Sequence, residues 1–263
     1  MYNQIIEKFI EAQHTARQAY LDAARFEREA LAGTGTAEPF FAVGVRSEYR
    51  QEDELEKFCF ALASNVVSRA RREFAPVGAR LDIDNNAEFD RAGLYIGKAL
   101  KKGETPDLDK LWGSLSAYYN GDGGATTAYR QAAARIVRSF GLHRNAEVKR
   151  TASGVVLKKS VYSEAVWRSS RRRVGYHSTQ HTADCLSGLA TFAGKAGNAV
   201  LASMLGRINL HQLEYTSREK MSMPGLDITL FNDKWEFKFS NELAEPLMLF
   251  VGEYGQDAMQ ERH

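Results

Sequence analysis

Long apolar runs are scarce in this chain of 263 residues. The longest strongly apolar one, Leu247 to Val251, is far short of the roughly 20 apolar residues that cross a bilayer, so no membrane partner is expected. Only two cysteines occur, Cys59 inside FCFALA and Cys185 on a separate predicted helix. That excludes a disulfide scaffold and suits reduced thiols. There is no internal repeat and no low-complexity linker, which excludes solenoid and fibrous architectures. Glu7, Glu11, Asp22, Glu27 and Glu29 argue against a secretory signal or transit peptide, and a cytoplasmic location is the expectation.

Net charge is low as well, only +2, yet it is unevenly placed. Between Arg135 and Arg173, eleven basic residues stand against Glu147 and Glu164, which leaves this stretch at +9 and the rest of the chain at −7. Such polarisation is the electrostatic footprint of a phosphate-backbone binder. The expected DNA-gripping cations are Arg144, Lys149, Arg150, Lys158, Lys159, Arg168, Arg171, Arg172 and Arg173, within a nucleic-acid-facing region at residues 135–185.

The hydrophobic spacing predicts a mainly helical α+β protein, read as one domain over residues 1–263. Apolar positions three or four apart mark helices over about 3–31, 51–74, 87–101, 126–140, 179–193, 196–205 and 242–254, with another opened by Thr105-Pro106-Asp107. Two β-hairpins are expected, at about 146–162 and 226–239. In the second, LDITLF and KWEFKF alternate on either side of Asn232-Asp233. EPFFAVGVRSEY reads as a short strand or an ordered loop.

The order of these pieces is recognisable. The segments KALKKGETPDLDKLWGSL, VVLKKSV and TADCLSGLATFAGK, followed by a final strand pair, resemble a bacterial domain-of-unknown-function family carried on plasmids and prophages. In some chains that family is joined to an adenine-N6 DNA methyltransferase. Asp184 with Gly194-Lys195, and the pair Lys158 and Lys159, match its features, whereas the Phe231-Asn232-Asp233 turn departs from its Gly-Asn turn. No methyltransferase motif is present. The resemblance implies a mobile-element or phage-conflict setting, association with a modification or defence system, and DNA as substrate.

Candidate chemistry is sparse. His177 and His181 share a helical face, and Cys185 continues the stripe, but about 12 Å separates its ends at 1.5 Å per residue, so all three cannot ligate one ion. No metal and no cofactor are expected. NGDGGATTAY offers glycines ahead of a helix start, which can receive an anion or simply form a capped turn. A metal-independent DNA N-glycosylase needs a cationic grip, flat side chains to hold a flipped base and a carboxylate to orient water or stabilise the departing sugar. Trp167, Tyr176 and His177 are the stacking candidates, and Asp122 and Asp184 the catalytic carboxylates. The expected function is thus hydrolysis of the base–sugar bond of a flipped, modified base. The alternative is a non-catalytic DNA-binding accessory of a modification or anti-restriction system. Both expect the cations to gather on one concave surface, and the first also needs an acid at its floor.

Overall fold

A computed structural model of the chain describes residues 1–34, 41–45, 47–144 and 148–261. Part of EPFFAVGVRSEY, and residues 145–147 at the start of the first expected hairpin, lie outside the described residues. The architecture is mainly helical α+β, as the hydrophobic spacing predicts. Among the described residues no helix is long and apolar enough to cross a membrane. The chain divides into two compact units, Met1–Ala70 with Ile83–Tyr118, and Arg71–Asp82 with Tyr119–His263.

The N-terminal unit holds α1 (Tyr2–Ala32), α2 (Glu48–Glu73, whose last residues pass into the second unit), α3 (Asn85–Ala92), α4 (Ile96–Lys101) and α5 (Leu108–Tyr119, whose last residue, Tyr119, belongs to the second unit). Phe9 and Phe58 stack with ring centroids 4.0 Å apart and join α1 to α2. The single helix expected over 87–101 is two helices. Gly93 adopts φ 67°, and the amides of Gly93 and Leu94 turn back onto Asp90 and Phe89, which closes α3 before α4 begins. The starts of α1 and α5 cap each other. Asn3 Oδ1 accepts from the Leu108 and Asp109 amides at 2.8 and 3.1 Å, while Asp109 accepts from the Tyr2 amide at 2.7 Å. Both helix ends thereby satisfy donors that have no intrahelical partner.

The C-terminal unit begins its regular structure with α6 (Asp122–Phe140) and a 3-10 turn (Leu142–Arg144). Strands β1 (Lys149–Thr151), β2 (Gly154–Ser160), β3 (Ser163–Ala165) and β4 (Arg172–Val174) follow. Then come α7 (Tyr176–Lys195), α8 (Ala199–Gly206), β5 (Glu214–Tyr215), β6 (Glu219–Met223), β7 (Leu226–Leu230), β8 (Lys234–Phe239), α9 (Asn241–Tyr254) and α10 (Gln256–Gln260). Both expected hairpins are present, β1 with β2 and β7 with β8. They join β6 in a five-stranded antiparallel sheet ordered β1-β2-β8-β7-β6. A second, three-stranded sheet, β3-β4-β5, takes up the arginine run, which lies outside the two hairpins expected from sequence.

Strict alternation on β7 and β8 buries Leu226, Ile228, Leu230, Trp235, Phe237 and Phe239 on one face of the large sheet. That face packs into a core with Ile136 and Phe140 of α6, Leu189 and Phe192 of α7, and Leu247 and Phe250 of α9. Helices α6 and α7 approach closely where α7 carries Gly188, at which a Cβ would sit 2.9 Å from the Ala132 carbonyl.

Candidate nucleic-acid interface

The other face of the large sheet is polar. Register places Lys149, Val156, Lys238, Asp227 and Ser222 in one row across β1, β2, β8, β7 and β6. The next row is Lys158, Glu236, Thr229 and Lys220, and Lys234 follows opposite Ser160. Among the described residues, five lysines and two acids therefore share one face. With strands about 4.8 Å apart, the first row spans about 19 Å. Side chains in these rows keep contact with solvent: accessibility is 53% for Lys220, 37% for Lys234, 30% for Asp227 and 27% for Glu236. Lys220 pairs with Asp227 at 2.7 Å and Lys234 with Glu236 at 3.2 Å. The Lys220 hydrogen bond, helped by Ser222, holds the Asp227 carboxyl below the usual range. Among the described residues, no ion pair involves Lys149 or Lys238.

Of the cations expected from sequence, only Lys149 and Lys158 reach this face. Because side chains alternate along a strand, Lys159 turns to the core side, where it is 6% exposed opposite Trp235. Arg150 likewise departs from Lys149 and lines an apolar cleft with Val155 and Phe239. Arg144 is exposed on the 3-10 turn. The arginine run is consumed by its own small sheet. The Arg171 side chain donates to the Glu214 carbonyl and lies 3.5 Å from the Glu214 carboxylate. Arg172 donates to Ser163 Oγ and O at 2.8 and 2.7 Å, and Arg173 meets Glu164 at 3.4 Å. Lys220, Lys234 and Lys238 were missed because they lie 47 to 65 residues beyond Arg173, where the basic stretch ends. The alternation of KWEFKF carried the signal, since it puts Lys234, Glu236 and Lys238 opposite the aromatic face.

The stacking candidates are exposed but not gathered. Trp167, 84% exposed, sits with Arg168 in the β3–β4 turn, where the Val166 amide bonds to the Arg171 carbonyl. Arg168 has a left-handed φ of 55° and its guanidinium lies 5.6 Å from the Trp167 ring centroid. Tyr176, 83% exposed, and His177 lie beyond the other end of this hairpin, where the Gly175 amide bonds to the Tyr162 carbonyl. The hairpin ladder alone separates the two groups by about 10 Å. His177 stands edge-on to Tyr176, with ring centroids 5.7 Å apart. Among the described residues, no three His, Cys, Asp or Glu side chains are grouped as a metal site needs.

The two expected catalytic carboxylates are apart from the lysine face and from each other. Asp122 is exposed on the first turn of α6. That helix starts four residues earlier than the expected Thr126 and includes Gly123 and Gly124 of NGDGG, with Gly121 at its N-cap. Gly124 is a packing glycine rather than part of an anion cradle: a Cβ there would lie 2.3 Å from the Phe74 carbonyl oxygen and 2.9 Å from that of Tyr119. Asp184 on α7 accepts from Gln180 at 3.0 Å and lies 3.8 Å from Arg80. Arg80 also bonds Asp82 at 2.8 Å, and Asp82 in turn pairs with Arg135. Asp184 thus closes an alternating chain of acids and bases, which disperses the negative charge that an exposed catalytic carboxylate would carry.

No protein-family model, curated protein or solved structure matches the chain.

Proposed function

We propose that the protein binds DNA through the sugar–phosphate backbone and acts as a non-catalytic accessory in a modification or anti-restriction setting. The observation that carries this reading is the lysine-bearing open face of the five-stranded sheet. An ordered two-dimensional array of ammonium groups neutralises phosphates without reading bases, which gives sequence-independent affinity. The Trp167–Arg168 hairpin tip adds a flat aromatic surface and a cation that can meet an unstacked base.

Base excision does not enter the proposal. It requires a carboxylate beside the phosphate grip, and Asp122 and Asp184 lie on other elements, the second already engaged by Arg80 and Gln180. The discriminating experiment incubates the protein with plain and base-modified duplex DNA, then splits each sample between a native mobility gel and mild alkali. A mobility shift with no alkali-sensitive breaks is expected. Alkali-dependent breaks that disappear in Asp184→Asn would restore the glycosylase reading and overturn this one.

A further inference from the structure

On the side of the large sheet opposite the lysine rows, a cleft of about 510 Å³ opens between the sheet, α9 and α10. Its floor is Val155, Leu157 and Phe239, and its walls include Leu247, Val251 and Met259. The volume falls within the range of small-molecule sites, which is about 300–1,000 Å³. The cleft is not a packing defect sealed inside the core, because Val148, Met248 and Met259 along it remain 47%, 56% and 45% exposed. Contiguous apolar surface left in water is unfavourable and marks a place where something binds. Two methionines in the lining can adjust to the outline of an aliphatic body.

Charge selects the occupant. Among the described residues, Arg150 is the single ionisable side chain lining the cleft and no acid pairs with it. Gln256 and Gln260 add amide groups from α10. An apolar trough whose described lining presents one guanidinium is complementary to a molecule with an aliphatic body and one anionic head, since Arg binds a carboxylate through two parallel hydrogen bonds. We infer that this cleft binds an amphipathic carboxylate of the fatty-acid class, its chain over Val155 and Phe239 and its head on Arg150. The inference stands independently of the DNA-binding proposal, because strand alternation places Lys149 and Arg150 on opposite faces of the sheet.

The test is calorimetric titration with decanoate, kept below its micelle concentration, and with decanol. Wild-type protein should bind both saturably. Arg150→Gln should weaken decanoate by about tenfold, the scale of one charge-assisted hydrogen bond, and leave decanol unchanged. Gly252 lines the cleft, and a Cβ there meets nothing within 4 Å. Gly252→Trp should therefore fill the cleft and abolish both titrations at an unchanged melting temperature. Met248→Glu, at an exposed position that tolerates charge, should weaken decanoate more than decanol. The inference is overturned by wild-type protein that binds neither probe, or by decanoate affinity that is the same with and without Arg150. It is equally overturned if sedimentation shows a dimer that Met248→Glu dissociates, which would give the cleft to a second copy of the chain.

Discussion

Lys158 and Lys159 are consecutive on β2 yet lie on opposite faces of the five-stranded sheet, the first across from Glu236 in the open rows and the second across from Trp235 on the core side. The same substitution should therefore act on different properties. Lys158→Glu is expected to weaken DNA binding with little change in melting temperature. Lys159→Glu places a carboxylate against the aromatic core and should cost about 2–4 kcal/mol of stability. Thermal melts and anisotropy titrations of the two variants separate the effects.

Gly124 leaves no room for a side chain because α6 passes close to Phe74 and Tyr119. Gly124→Ala should then destabilise the protein by about 1–3 kcal/mol through overpacking, with binding of inorganic phosphate unaffected. A variant as stable as wild type in urea unfolding would contradict that role.

Much of this fold is legible in sequence, and the reasons for the gaps are specific. LDITLF and KWEFKF alternate long enough to declare both strands and the turn between them, and α1 and α7 carry clear helical spacing. Strands β3, β4 and β5 are two or three residues long, too short for a period to show, and β4 is almost entirely arginine. The candidate interface was half legible. Lys149 and Lys158 stood out by clustering along the chain, but the rows form only when β2 pairs with β8, which is distant in sequence. Clustering along the chain also promoted Arg171, Arg172 and Arg173, whose charges are met locally by Glu214, Ser163 and Glu164.

Both cysteines are fully buried, and burial pushes each thiol up to about 11, with Glu56 adding to the effect at Cys59. At Cys185 the nearby Lys159 and Ser139 only partly offset it. At pH 8 the thiolate population should fall about two orders of magnitude below that of a free cysteine. A disulfide-exchange reagent should label neither residue in the folded protein and both in denaturant. Rapid labelling of either one under native conditions would contradict the packing described.

Asn3, followed by the Lys110 amide, holds the Asp107 carboxyl below its ordinary value. A carboxylate depressed in the folded state contributes stability that is complete above its unfolded value of about 3.9 and lost as pH falls through the lower folded value. Asp107→Asn should accordingly reduce stability at pH 6 and flatten its loss on acidification toward pH 3. Urea midpoints across this range measure the difference, and parallel curves for the two proteins would contradict the linkage.

The central claim is that DNA is gripped by the lysine rows of the large sheet. The most direct measurement is the salt dependence of duplex affinity for wild type, for Lys149→Gln/Lys158→Gln/Lys238→Gln and for Arg171→Gln/Arg173→Gln. With about 0.9 of slope per neutralised phosphate, the lysine triple should flatten the log–log plot by about 3, while the arginine pair leaves it unchanged. A triple variant with wild-type slope, or a slope that collapses only in the arginine variant, would contradict it.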